Sequence, residues 1–358
     1  MNRTRRQVPF EIQAGWQVAP VAVRVGVARA FVFRHAGHTA AIVALDPEAY
    51  LGRVNDAFVD GIIDKTAGAI VDAARAMKPA TLTAATVRVG IDNLCTDLRE
   101  ALENGMDAAG SKPVVAGLGG IAIFLQGAVG GMASPLRMPV TDRAGNDRTR
   151  EDFDRARTIG EALAEKAFDA LAGASVVTDT TIAHAGKVFR TPVANKYFWL
   201  LFDLGVLRAR QMYKIDPSKD TYLDNVELET AAAMLRIGPV TFGTVPGEAF
   251  PELAVGGYFD PFPYSYGHPI IDPANQYPPD LSKAPQGPYL RDLMPGEVKF
   301  FLGLDELGYE VPGYDFKLSD TNPYIDRPPG DHYEETNGIG PQIVDQIFDA
   351  WRALGGGL

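Results

Sequence analysis

Apolar residues recur at helical spacing in two long stretches of this chain. Val54, Phe58, Ile62, Ala69 or Ile70, Ala73 and Met77 keep a spacing near 3.6 until Pro79 stops it. Asp46 as N-cap, Pro47 at the first helical position and Glu48 in the first turn supply the start signals. Phe153, Ala156, Ile159, Gly160, Leu163, Ala167 and Leu171 predict a second amphipathic helix, capped by Gly173. A short helix from Leu94 to Glu103 closes at Asn104-Gly105, a buried one is predicted from Ala194 to Tyr213, and a last one from about Gly340 to Leu354. Between them lie β-rich runs. Val27–Phe33 and Thr39–Leu45 flank a turn at Arg34–His38 and read as a hairpin. Residues 8–25, broken by Gly15 and Pro20, predict an irregular or edge strand. Thr81–Val89 and residues 174–190 are strand-like. Residues 226–245 read as a strand pair turning at Gly238-Pro239, after which Pro246-Gly247-Glu248 closes the strand and opens a short helix. Val298–Leu302 is one more short apolar strand. With no internal repeat and no linker, the expectation is one compact α/β domain over 1–358, a mixed sheet with flanking helices.

One stretch departs from these periods. In Gly117–Pro135, the apolar run Ile121–Leu125 is bounded by glycines, as in a strand buried on both faces. It leads into Gly127, Gly130 and Gly131, followed by the hydroxyl of Ser134. Such a turn lets a ligand approach bare backbone, at the place where open α/β sheets bind ligands. A plain buried strand with a tight turn fits the same letters. Residues 257–297 are dense in Gly, Pro, Tyr and Asp and show no period, as expected of a functional loop packed on the substrate side or of a disordered one.

Composition narrows the function classes. The formal charge of −11 argues against a nucleic-acid surface. The single cysteine, Cys95, excludes an internal disulfide and a cysteine zinc cage. No run approaches the length of a membrane span, and residues 1–25 lack the apolar core of a signal peptide. The expectation is a chain that stays in the cytosol, or one whose true N-terminus lies further upstream.

The order of motifs resembles the neutral/alkaline ceramidases and their bacterial relatives. Phe124-Leu-Gln-Gly-Ala-Val-Gly-Gly131 with Ser134-Pro135 is similar to the family's active-site strand and loop. Thr244-Val-Pro-Gly-Glu248 resembles its Pro-Gly-Glu motif, and Gly303–Pro312 the segment supplying its late tyrosine. Tyr333-Glu-Glu-Thr-Asn-Gly-Ile-Gly-Pro341 resembles the motif before its closing helix. Leu98–Gly105 and Ala14–Pro20 also fall in family order, so the resemblance spans about residues 12–354. It implies zinc-dependent hydrolysis of the amide bond in ceramide or a related N-acyl lipid. By motif, Glu248 and Tyr309 are the carboxylate and phenol ligands of the metal. Ser134 is the nearest hydroxyl to the catalytic serine, Tyr333 a hydrogen-bond donor to the oxyanion, and Gly127, Gly130 and Gly131 the substrate and oxyanion loop.

The sequence also departs from that family. Ala44-Leu-Asp46 runs directly into Pro47, without the family's His-Xaa-His stretch. Val89–Cys95 stands where its His-Pro segment falls, and holds no histidine. On this resemblance both histidine ligands are expected to be missing, and no counterpart of the family's C-terminal immunoglobulin-like domain is expected within these residues. His35 and His38 read as a solvated turn, while His184, His268 and His332 are isolated. Glu248 also suits a helix start, and Tyr309 a core position with its hydroxyl at the surface. Two functions follow: a ceramidase-like amidohydrolase, or a non-catalytic relative that binds a lipid or a partner. A metal-independent serine amidase built on Ser134 is a third, with no base beside that serine in sequence.

Overall fold

The computed structural model describes residues 16–22, 28–45, 56–85, 98–125, 127–131, 140–150, 152–196, 198, 204, 211–220, 224–258, 278–305, 307–316 and 333–355. The chain divides into two compact units. One comprises Met1–Glu48, Ala57–Leu125 and Ser134–Ile182, the other Ala49–Asp56, Gln126–Ala133 and Ala183–Leu358.

The first unit carries an antiparallel sheet of β1 (Trp16–Ala22), β2 (Ala28–His35), β3 (His38–Leu45) and β4 (Lys78–Ala80), in the order β3-β2-β1-β4. The expected hairpin is β2–β3. Its turn is Ala36-Gly37, both at positive φ (47° and 85°), the hand that matches strand twist. β1 is an inner strand rather than an edge one over Trp16–Val18, where β4 pairs with it. Pro20 lies beyond those three residues, where a strand tolerates a residue with no N–H to donate. Helix α1 (Asp56–Arg75) packs Ala73, Ile70 and Ala74 against Val32 of β2, joined by Met77 just past its end. Its expected start signals, Asp46 to Glu48, lie outside the described residues.

Helices α2 (Leu98–Asn104) and α3 (Phe153–Ala172) share a small core of Ala101, Met106 and Ala164, lined by Leu98, Leu102, Val115 and Phe168. Asp152 caps α3 by accepting from the Arg155 amide at 3.0 Å, and Gly173 ends it. Phe153 does not join the apolar stripe. It is 90% exposed, in the first turn of α3. Arg143 is buried nearby, donating to Glu165 Oε1 (2.8 Å), Pro113 O (2.6 Å) and Met106 Sδ (3.2 Å). Of the strands read at 81–89 and 174–190, Thr83–Ala84 (β5) pairs with Ser175–Val176 (β8), Ile182–Pro192 is a longer strand, and 86–89 lies outside the described residues. β6 (Gly105–Met106) and β7 (Val115–Ala116) form another.

Ile121–Leu125 is not a strand. The segment is half-buried, without regular structure, and hangs from the end of α2. Leu118 N donates to Leu102 O, Gly119 N to Glu103 O, and Ala122 N to the Glu103 carboxylate at 2.9 Å. A short apolar run with glycines on both sides meets the pattern of a buried strand, yet its Ala122 N–H goes to a carboxylate and the segment joins no ladder.

The second unit is built on β9 (Ile182–Pro192), β10 (Met212–Lys214), β11 (Val226–Ile237), β12 (Val240–Val245) and β14 (Val298–Gly303). Their order is β10-β11-β12-β14, with β9 also on β11, and β12–β14 is parallel while β10–β11 and β11–β12 are antiparallel. The architecture is thus α/β with a mixed sheet. The strand pair turns at Gly238-Pro239 as read. The helix expected over Ala194–Tyr213 falls mostly outside the described residues; Lys196 and Phe198 are helical, but Met212–Lys214 is strand β10. Within 257–297, two 3-10 turns, Leu281–Lys283 and Leu290–Leu293, are seen, and 259–277 lies outside the described residues.

The remaining helices are α4 (Pro251–Val255), α5 (Tyr333–Thr336) and α6 (Gln342–Gly355). α6 buries Ile343, Val344, Ile347, Phe348, Ala350, Trp351 and Leu354 into the main core. Trp351 is fully buried, donates Nε1–H to Thr244 O at 3.0 Å, and lies on Gly243, where a Cβ would stand 2.4 Å from the indole. That close approach requires glycine in β12.

Candidate functional site

The site grows out of the ends of β12 and β14. Past these strands the two segments stay linked: Leu304 N donates to Val245 O, Leu307 N to Pro246 O, and Glu248 N to Gly308 O. They then form a second parallel pair, β13 (Glu248–Ala249) with β15 (Tyr309–Glu310). Glu248 and Tyr309 are register partners in it. Glu248 therefore stands on a strand rather than at a helix start. The helix begins only at Pro251, because proline suits the first helical turn.

Tyr333 reaches the pair from α5. Its ring centre is 5.7 Å from that of Tyr309, with the planes 63° apart, an edge-to-face arrangement. The main chains are joined as well, since Tyr309 N donates to Asn337 O at 3.1 Å. Tyr333 is 56% exposed and Tyr309 half-buried, so the phenols run from the protein's edge inward.

The glycine turn comes to the same place. Gly130 N donates to Ala249 O at 2.9 Å. A Cβ at Gly130 would stand 2.4 Å from Phe250 Cδ1 and 2.5 Å from Glu248 O, so a side chain has no room there. With its amide on Ala249, what Gly130 supplies is close approach of the backbone to β13. Gly131 is exposed, at φ 74°, beside Phe250 and the Glu334 carboxylate. Gly127 is exposed. Ser134 lies outside the described residues.

Burial raises the Glu248 carboxyl above the usual carboxylate range. The Tyr309 phenol is pushed up to about 12, by burial first, then by the charge of Glu248 and by Tyr333, which hydrogen-bonds it, with Glu334 adding to the same sense. Tyr309 therefore keeps its proton across the physiological range. The arrangement offers a carboxylate and a hydrogen-bonded pair of phenols around a glycine turn, a set that can present one O–H to a carbonyl oxygen.

The resemblance also implies zinc, and the residues meet that only in part. Glu248 and Tyr309 are brought together, but among the described residues no group of three or more His, Cys, Asp or Glu side chains is placed to hold a metal. His38 and His184 are exposed on strands of the sheets, and His268 and His332 lie outside the described residues. The described donors do not complete a zinc site. Two participants escaped the reading of the sequence. Glu334 follows Tyr333 in the quoted motif but was given no role, and Asn337 carried no signal beyond a turn-forming type beside Gly338.

No family model matches the sequence, and no curated protein matches it. Solved ceramidases do resemble the structure. Neutral ceramidase from Pseudomonas aeruginosa is similar over 96% of this chain and 74% of that chain, at 13% sequence identity and a TM-score of 0.45. A ceramidase complexed with C2 is similar over 96% of this chain and 75% of that chain, at 12% identity and a TM-score of 0.49.

Proposed function

We propose that this chain is a ceramidase-like hydrolase of the amide bond in ceramide or a related N-acyl lipid, its 358 residues making one ceramidase-like domain. One observation carries the reading: Glu248, Tyr309, Tyr333 and the Gly130-Gly131 turn, picked from separate motifs, meet at one place. On the family's pattern Glu248 and Tyr309 are metal-side donors, with zinc as the cofactor and Ser134 as the catalytic hydroxyl. The described geometry supports a narrower role for this chain's own atoms. Tyr333, hydrogen-bonded to the protonated Tyr309, donates to the oxygen on which charge develops, and the glycine turn lets the acyl group lie against the backbone.

The test is release of fatty acid and sphingoid base from a fluorescent short-chain ceramide, with and without added zinc, alongside zinc content by elemental mass spectrometry. Hydrolysis that falls at least about 100-fold in Glu248→Gln and Tyr309→Phe supports the reading. No turnover of ceramides or other N-acyl lipids by folded, zinc-supplied protein overturns it. The missing histidine stretches favour one alternative, a non-catalytic relative. It predicts saturable ceramide binding without turnover.

A further inference from the structure

Asn195 is wholly buried and lies away from every motif named above, yet its side chain holds the segment that carries Tyr333. Its Nδ2 donates to Thr336 O at 2.9 Å and to Gly338 O at 2.8 Å. Those carbonyls flank Asn337 on both sides. Asn337 in turn joins the two site tyrosines: its backbone N (3.1 Å) and Nδ2 (2.7 Å) donate to Tyr333 O, while its own O accepts from Tyr309 N. Around this, Gly308 and Gly338 form an antiparallel bridge, and the amides of Ala194 and Asn195 both donate to Ile339 O.

The anchor itself is firm. Val193 N donates to Val226 O of β11, so residues 193–195 are tied to the central sheet. The Oδ1 of Asn195 accepts from Phe198 N at 3.4 Å, as an N-cap does for a following helical turn. A side chain needed only as a cap would use its oxygen alone, and serine, threonine or aspartate would serve equally. Here both amide hydrogens are directed at the carbonyls on either side of Asn337. An asparagine is the cap that can do this.

We propose that Asn195 is a positioning residue for this site, fixing the Tyr333 ring against Tyr309 through Asn337. Its catalytic consequence rests on the ceramidase-like reading; its structural consequence does not. A displacement of a hydrogen-bond donor by about 1 Å costs on the order of 100-fold in turnover. Loss of the Asn195 amide is therefore expected to lower kcat about 10-fold to 100-fold with KM little changed, because the group acts on the developing charge rather than on the bound lipid tail.

The experiment places 3-fluorotyrosine at position 333 or, as a control in the separate tyrosine cluster, at position 258 of the full chain. The 19F spectra are compared at one pH between the parent protein, Asn195→Ala and the isosteric Asn195→Asp, which keeps the capping oxygen and loses both amide donors. The expected result is a shift or splitting of the 333 resonance in both variants with the 258 resonance unmoved. An unmoved 333 resonance, a common movement of both resonances, or failure of both variants to fold would overturn the proposal. The kcat and KM of the same variants on the fluorescent ceramide are read in parallel. A shifted 333 resonance in a parent that hydrolyses nothing refutes the hydrolase reading and leaves the positioning role standing. An active parent whose variants keep full kcat refutes the positioning role alone.

Discussion

Glu252 offers the sharpest test of the packing beside the site. It lies on α4, four residues after Glu248, and its carboxyl is pushed up to about 7 by burial, with the charge of Asp315 adding to the effect. Around it stand Tyr258 and Tyr314, whose hydroxyls hydrogen-bond each other and whose rings meet edge-on at 5.6 Å, and Tyr289 at 6.4 Å from Tyr258. Burial raises both Tyr258 and Tyr314, so neither ionises in the range considered. The folded protein therefore binds this proton more tightly than the unfolded chain, whose glutamate titrates at 4.5. Below pH 4.5 both states are protonated and the group costs nothing. As pH rises from 4.5 to 7, the unfolded chain ionises freely while the folded one cannot, and stability falls. The loss is complete above about pH 7. The gap between 7 and 4.5, at about 1.4 kcal/mol per pH unit, is about 3 kcal/mol. Glu252→Gln removes the titration. Urea unfolding of parent and variant at intervals from pH 4.5 to 8 isolates it, because every other carboxylate is common to both and cancels. The variant is expected to gain on the parent by up to about 1.4 kcal/mol per pH unit through that window and to level off near 3 kcal/mol. A difference that stays flat with pH would mean that water reaches the carboxyl, and the packing described for α4 would be wrong.

Three further substitutions probe the scaffold. Gly130→Ala sets a methyl 2.4 Å from the Phe250 ring and 2.5 Å from Glu248 O, and is expected to lower the urea-derived stability by about 1–3 kcal/mol. Trp351→Phe keeps an aromatic ring in the core but strands Thr244 O without its 3.0 Å partner, a loss of about 1–3 kcal/mol in the same measurement. Arg143→Met breaks a buried ion pair and leaves Pro113 O without its donor; about 3 kcal/mol is expected, at the low end for such pairs because Lys112 still holds Glu165 at 2.6 Å. Hydrogen exchange should place that loss in α2 and α3.

Periodic segments were legible in the sequence, and the reason is burial. Helix α3 runs from Phe153 to Ala172 against an expectation that ended at Gly173, and α6 buries seven residues on one face. The β11–β12 pair and its turn at Gly238-Pro239 were equally plain, since alternation and turn chemistry agree there. What failed was reading chemistry from apolarity alone. Ile121–Leu125 has the composition of a central strand, but its Ala122 N–H is held by the Glu103 carboxylate, a partner about twenty positions away that no local pattern reports. Phe153 sits at the right phase of its helix and still faces solvent, as the helix's first residue. The site was half legible. Glu248, Tyr309 and Tyr333 came from motif order, and their pairing is a matter of strand register that motif order does not contain. Asn195 was invisible, since its two partners are carbonyl oxygens more than a hundred positions away.

The bonds that assemble the site are nearly all main-chain. Gly130 N to Ala249 O, Glu248 N to Gly308 O and Tyr309 N to Asn337 O would form whatever side chains stood at 248 and 309. The fold can thus keep the geometry while the chemistry changes, so convergence of these residues supports a function only if the side chains themselves matter. Glu248→Gln separates the two. Burial raises the Glu248 carboxyl, so its ionised form costs stability as pH rises from the unfolded value through the folded one. A neutral amide of the same shape is expected to leave the protein at least as stable above that window, within about 0.5 kcal/mol of the parent or better by urea unfolding. A stable variant that has lost ceramide turnover or zinc would assign Glu248 to function. A variant that unfolds would make Glu248 a structural residue, and its place opposite Tyr309 would then carry no argument for catalysis.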